Sequence, residues 1–129
     1  MTLETAQLLC SPYEPGKAPY KRTHYNHPCA KWARESIGNY EWLVEFGYFI
    51  SQEYTHRYNK IHKCLDVIDW CDNNSHTLNL PDIGLTPWAQ AMPDEYKDPC
   101  AVQAYRNYYL GDKIDFCKWT NRKPPNWIV

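Results

Sequence analysis

The chain has 129 residues and a formal charge of −1, with an isoelectric point near 6.5. A length of this order fits one domain around one modest core, and near-neutrality excludes a histone-like coat that holds nucleic acid through a large excess of positive charge. No apolar run reaches the roughly 18 residues that a membrane span needs, and no basic-apolar leader pattern opens the chain, so the expected setting is the cytoplasm of a bacterium or of an infected host.

The first predicted element is a helix over Thr2 to Leu9, with Leu3, Ala6 and Leu9 on one face. It starts abruptly at Met1 with no capping residue ahead, and so reads as the end of a longer helix. Ser11 to Thr23 holds Pro12, Pro15, Gly16 and Pro19 among Lys17, Lys21 and Arg22, which predicts a basic surface loop. Pro28 suits a first helical turn, with Asn26 or His27 as its cap. From there Trp32, Ile37, Tyr40, Leu43, Val44, Gly47, Ile50 and Tyr54 recur mostly at three and four residues, predicting one central helix to about Tyr58. Ile61, Leu65, Ile68 and Cys71 predict a shorter amphipathic helix that Asp72, Asn73 and Asn74 stop.

Residues 73 to 99 carry Pro81, Gly84, Pro87, Pro93 and Pro99, a long loop expected to cover one end of the bundle with Leu80, Ile83, Leu85, Trp88 and Met92. Asp98 and Pro99 would cap and open a last helix through about Trp119, striped by Val102, Tyr105, Tyr109 and Phe116. Strand-like alternation is confined to short stretches near Leu78. The expected fold is therefore all-α, a single domain over residues 1–129 built as a compact bundle of about four helices with a Pro-rich loop.

The six cysteines read as small apolar thiols inside helices, since the chain has no secretory signal to suggest disulfides. His24, His27 and Cys29, followed by His62 and Cys64, could in principle bind zinc, but there is no Cys-x-x-Cys pair and the spacings are irregular. No metal or cofactor is expected.

The segment from His24 to Lys63 interleaves cations with aromatic rings, a combination suited to a polyanion with stackable bases. The candidate nucleic-acid-binding residues are Lys21, Arg22, His24 and His27 from the loop and its helix entry, and His56, Arg57, Lys60, His62 and Lys63 from the far end of the central helix. They are expected to gather at one end of an antiparallel bundle as a phosphate patch; the competing reading is a solvated helix end, where cations suit the dipole. Trp42 lies off the buried stripe and is the stacking candidate, whereas Trp32 and Tyr40 belong to the core. Glu53 and Arg57 have the spacing of a helix-surface ion pair. Asp94 and Glu95 read as loop acids without a ligand.

The series Glu4-x-x-Gln7-x-Leu9, Pro-rich loop, His27-Pro28 before Trp32, long Tyr/Trp helix with Glu53 and Arg57, Pro93-x-x-Tyr96 and Tyr-rich last helix resembles the pyrimidine-dimer DNA glycosylase superfamily of endonuclease V type. It resembles more closely phage proteins that look like distant members of it. The resemblance implies a helical protein that excises a damaged pyrimidine from duplex DNA by flipping a nucleotide, and then cuts the backbone. It implies an N-terminal amine that attacks the sugar C1′ to form a Schiff base, with Glu4 at the position of the carboxylate that stabilises the cationic sugar and moves protons. The relatives carry the amine on a segment ahead of the position of Met1. The expectation is therefore that the start lies upstream, that the nucleophile is lost, or that the amine of Met1 or Thr2 substitutes. A non-catalytic interaction protein that engages a host protein through its Tyr and Trp surface is the alternative.

Overall fold

A computed structural model describes residues 1–128 and is helical, with no strand among them. Its α-helices are α1 (Thr2–Cys10), α2 (Pro28–Glu35), α3 (Ile37–Tyr58), α4 (Leu65–Asn74) and α5 (Ala101–Tyr108). The described residues group into two compact units, one covering Met1–Thr86 and one beginning at Pro87. No helix among the described residues is long and apolar enough to cross a membrane.

In the first unit α3 is the axis against which α1, α2 and α4 pack. Tyr40 is fully buried, and its hydroxyl donates to the Leu9 carbonyl at 2.7 Å, pinning the end of α1 to the beginning of α3. Farther along, Gly47 lets the neighbours come close: a Cβ there would lie 3.1 Å from Ile68 and 3.4 Å from Thr5. The order of these contacts, Leu9 with Tyr40 and Thr5 with Gly47, makes α1 antiparallel to α3. Ala6, Leu9, Ala33, Val44, Ile68 and Cys71 complete a core of mainly small and aliphatic side chains.

The central helix expected from Pro28 to Tyr58 is two helices. Ser36 is extended, with φ −152° and ψ 158°, and ends α2 while capping α3. Its hydroxyl accepts from the Asn39 amide at 3.0 Å and donates to the Gly84 carbonyl at 2.7 Å. Serine, a β-branched isoleucine and a glycine in succession resist helix more than the flanking residues do. The segment around Gly84 exploits the break, since a Cβ on Gly38 would lie 2.9 Å from the Gly84 carbonyl carbon.

Helix α4 starts at Leu65 rather than at Ile61. Asn59 closes α3 in the left-handed conformation with φ 54°, its amide donating to the Thr55 carbonyl at 2.8 Å. Ile61 is left 75% exposed in the turn. In the second unit the last helix is also shorter than its apolar stripe. After Tyr108 a π turn at Tyr109–Lys113 and a 3₁₀ turn at Ile114–Phe116 replace it. The Tyr96 hydroxyl donates to Asp112 at 2.8 Å in that widened turn, and the Asp98 carboxylate accepts the Cys100 amide just ahead of α5.

Candidate nucleic-acid interface

The loop after α1 is held by arginines. Arg22 donates from Nε to the Ser11 carbonyl at 3.0 Å and from Nη2 to the Tyr13 carbonyl at 2.6 Å, serving loop carbonyls just past the end of α1. Its guanidinium also lies 4.4 Å from the centre of the Tyr25 ring, and Arg34 lies 3.8 Å from the same ring while donating to the Tyr25 carbonyl. Arg22 is thus first a fastener of the loop, and its charge is shared with a tyrosine. Arg34 and Tyr25 are members of this cluster that sequence reasoning missed. They are nine residues apart with no helical register between them, so no periodic signal could pair them.

His27 is the N-cap of α2, its Nδ1 accepting the Cys29 amide at 3.0 Å. His62 does the same for Cys64 ahead of α4, also at 3.0 Å. Both residues belong to the scaffold before they belong to any phosphate patch. His24 is exposed in the left-handed conformation, and its ring meets that of His27 edge-on at 6.4 Å. Lys21 is exposed beside it.

At the other end of α3, Arg57 pairs with Glu53 at 2.9 Å, as the spacing predicts. Tyr54 meets Tyr58 at 5.1 Å and His62 at 4.8 Å, forming a ring cluster on which Tyr58 is 48% exposed. His56, Lys60 and Lys63 are exposed around it. Lys60 and Lys63 make no ion pair or side-chain hydrogen bond among the described residues, so their ammonium groups face water.

Arg22 and Arg57 belong toward opposite ends of α3. Arg22 is tied to Tyr13, whose hydroxyl lies 3.3 Å from that of Tyr40 near the start of α3. From position 40 to position 57 is about 25 Å along the helix axis. The loop is fastened where α1 ends, and that is the wrong end for gathering with Arg57. Tyr20, which precedes Lys21, reaches toward the second set, its hydroxyl lying 3.3 Å from Cys64 Sγ at the start of α4.

Trp42 lies in neither set. It stacks on Phe46 at 5.4 Å with the planes 7° apart, and meets Trp32 edge-on at 5.7 Å. It lines a groove of about 550 Å³ together with Glu41, Glu45 and Asp72. Positions 41, 42, 45 and 48 share a face of α3, so the helix that carries the half-buried tryptophan also surrounds it with carboxylates that repel phosphate. At the edge of this groove the Tyr48 hydroxyl lies 2.7 Å from Asp69 and 3.1 Å from Asp72; burial first, and then these two acceptors, hold the phenol above its ordinary value.

Glu4 sits in the first turn of α1, exposed and without a side-chain partner among the described residues, where the helix dipole favours a carboxylate. Among the described residues no group of three or more His, Cys, Asp or Glu side chains could hold a metal ion. Comparison with protein-family models, curated protein sequences and solved structures finds no match to this chain.

Proposed function

We propose that this chain is a duplex-DNA-binding protein of the pyrimidine-dimer glycosylase type, working in the cytoplasm of a bacterium or of a phage-infected cell. The observation that supports this most is the turn between α3 and α4. There Lys60 and Lys63 face water on a backbone fixed by the Asn59 and His62 caps, beside the exposed ring of Tyr58. Phosphate contacts from such lysines would position a duplex, and an exposed phenol ring offers a displaced base a stacking surface. Tyr58 replaces Trp42 in this role because its neighbours are cationic. The loop cations Lys21, Arg22, Arg34 and His24 would contact phosphates farther along the same duplex. Glu4, unpaired at its helix end, is the carboxylate available to a cationic sugar once an amine has attacked C1′.

A second reading, a protein that engages a host protein rather than DNA, is favoured by the groove that Trp42 shares with Glu41, Glu45 and Asp72. Such a groove suits a basic segment.

Anisotropy of a labelled duplex across a salt series separates the two. Affinity that falls steeply with salt, with a log–log slope shallower by roughly two in the Lys60→Ala/Lys63→Ala double variant, fits phosphate contacts. Binding that ignores salt, or no binding to DNA, supports the protein partner. Borohydride trapping on duplexes with an abasic site or a pyrimidine dimer then tests the chemistry. A covalent band lost in Glu4→Gln, with affinity kept within a few-fold, supports base excision; salt-sensitive binding without any band leaves a non-catalytic DNA binder.

A further inference from the structure

We propose that Cys10 and Cys71 form an oxidative modification site, a dithiol that peroxide closes to a disulfide joining α1 to α4. Cys10 is the last residue of α1 and is 1% exposed; Cys71 lies on α4 and is 0% exposed. Their sulfurs are 3.7 Å apart although 61 positions separate them in the chain. A disulfide bond is about 2.05 Å long, so the sulfurs need to approach by less than 2 Å. Two other thiols are engaged differently: Cys64 faces the Tyr20 hydroxyl, and Cys117 donates to the Lys113 carbonyl.

The two sulfurs have unequal roles. The hydrogen bond from Cys71 holds the Cys10 thiol below its ordinary value against the opposing effect of burial, with the Tyr20 backbone adding to the lowering. Cys71 is pushed up by the same hydrogen bond and by burial. Cys10 is accordingly the attacking thiolate. Its sulfur takes one oxygen from hydrogen peroxide and becomes a sulfenic acid, while the O–O bond breaks and the other oxygen leaves as hydroxide, which the proton released by Cys10 converts to water. Cys71 sulfur then attacks the sulfenic sulfur, the S–O bond breaks, and the departing hydroxide takes the Cys71 proton. In sum two thiols give up two electrons and two protons, and one peroxide becomes two waters. Tyr20 covers the site, its backbone on Cys10 and its hydroxyl on Cys64, so the rate of closure follows the opening of the Ser11–Thr23 loop.

The test is to treat the reduced full chain with one equivalent of hydrogen peroxide, count thiols in denaturant and map peptides by mass spectrometry. The expected result is a fall from six free thiols to four, a mass lower by two hydrogens, a peptide linking Cys10 to Cys71, reversal by dithiothreitol and a higher melting temperature, because the cross-link restrains the unfolded chain. Tyr20→Ala should speed closure several-fold. Oxidation confined to exposed Cys100, a link through another pair, or an unlinked protein that remains folded would overturn the proposal. Cys71→Ser should lose the linked peptide; if that variant does not fold, the map of the unaltered chain decides.

Discussion

Tyr40 shows how much one side chain contributes here. Its ring is fully buried and its hydroxyl meets both the Leu9 carbonyl and the Tyr13 hydroxyl. Tyr40→Phe leaves those buried groups short of a partner and should cost about 1–3 kcal/mol, read as a lower urea midpoint with an unchanged slope. The alkaline limb carries a second expectation. Burial pushes Tyr13 up to about 12, and it holds Tyr40 above the ordinary phenol value of 10 as well. A group raised on folding stabilises fully below its unfolded value and loses that contribution as pH climbs through the folded one. The contribution of these two tyrosines should therefore be flat below about pH 10 and be lost toward pH 12, so that stability falls there less steeply in Tyr40→Phe; equal slopes in the two proteins would refute the assignment. The burial of Tyr40 and Trp32, the Glu53–Arg57 pair and the His27 cap were legible in the sequence because each follows a local rule of spacing or position. The bonds of Arg22 to Ser11 and Tyr13 were not, because they depend on how an irregular loop doubles back.

At the scale of elements, the break at Ser36 is where periodicity misleads. Ala33, Ile37 and Tyr40 keep a helical spacing across it, so a hydrophobic pattern alone runs α2 into α3. Ser36 caps one helix and anchors the segment around Gly84, so Ser36→Ala should cost about 1–2 kcal/mol through the lost cap. Gly38→Ala should cost more, since its new methyl would meet backbone at 2.9 Å rather than a side chain that can turn aside. Comparing the melting temperatures of the two variants checks the order, and a milder Gly38→Ala would show that the segment shifts freely. The last helix teaches the same lesson: the stripe from Val102 to Phe116 continues, but the backbone widens into a π turn where the Tyr96 hydroxyl meets Asp112.

At the scale of the molecule, a net charge of −1 conceals a local segregation of sign in the first unit. Cations occupy the loop and the α3–α4 turn, and carboxylates line the groove beside Trp42. The all-α class could be read from composition and period; the place of Arg22 near the end of α1 could not, because it is decided by where the loop is fastened. One buried side chain also determines how far the cooperative part of this unit extends. Asn39 donates to the Trp32 carbonyl and the Thr86 hydroxyl, each at 2.8 Å, and its own oxygen accepts the Thr86 amide at 2.9 Å. Thr86 belongs to no helix, yet its amide hydrogen is locked to a side chain that has no contact with water. In deuterated buffer that hydrogen should survive as long as those of the α3 core, far longer than its irregular neighbours. If it is lost as fast as theirs, Thr86 frays independently; if it persists, the slowest-exchanging body of the molecule includes a stretch of chain with no regular structure.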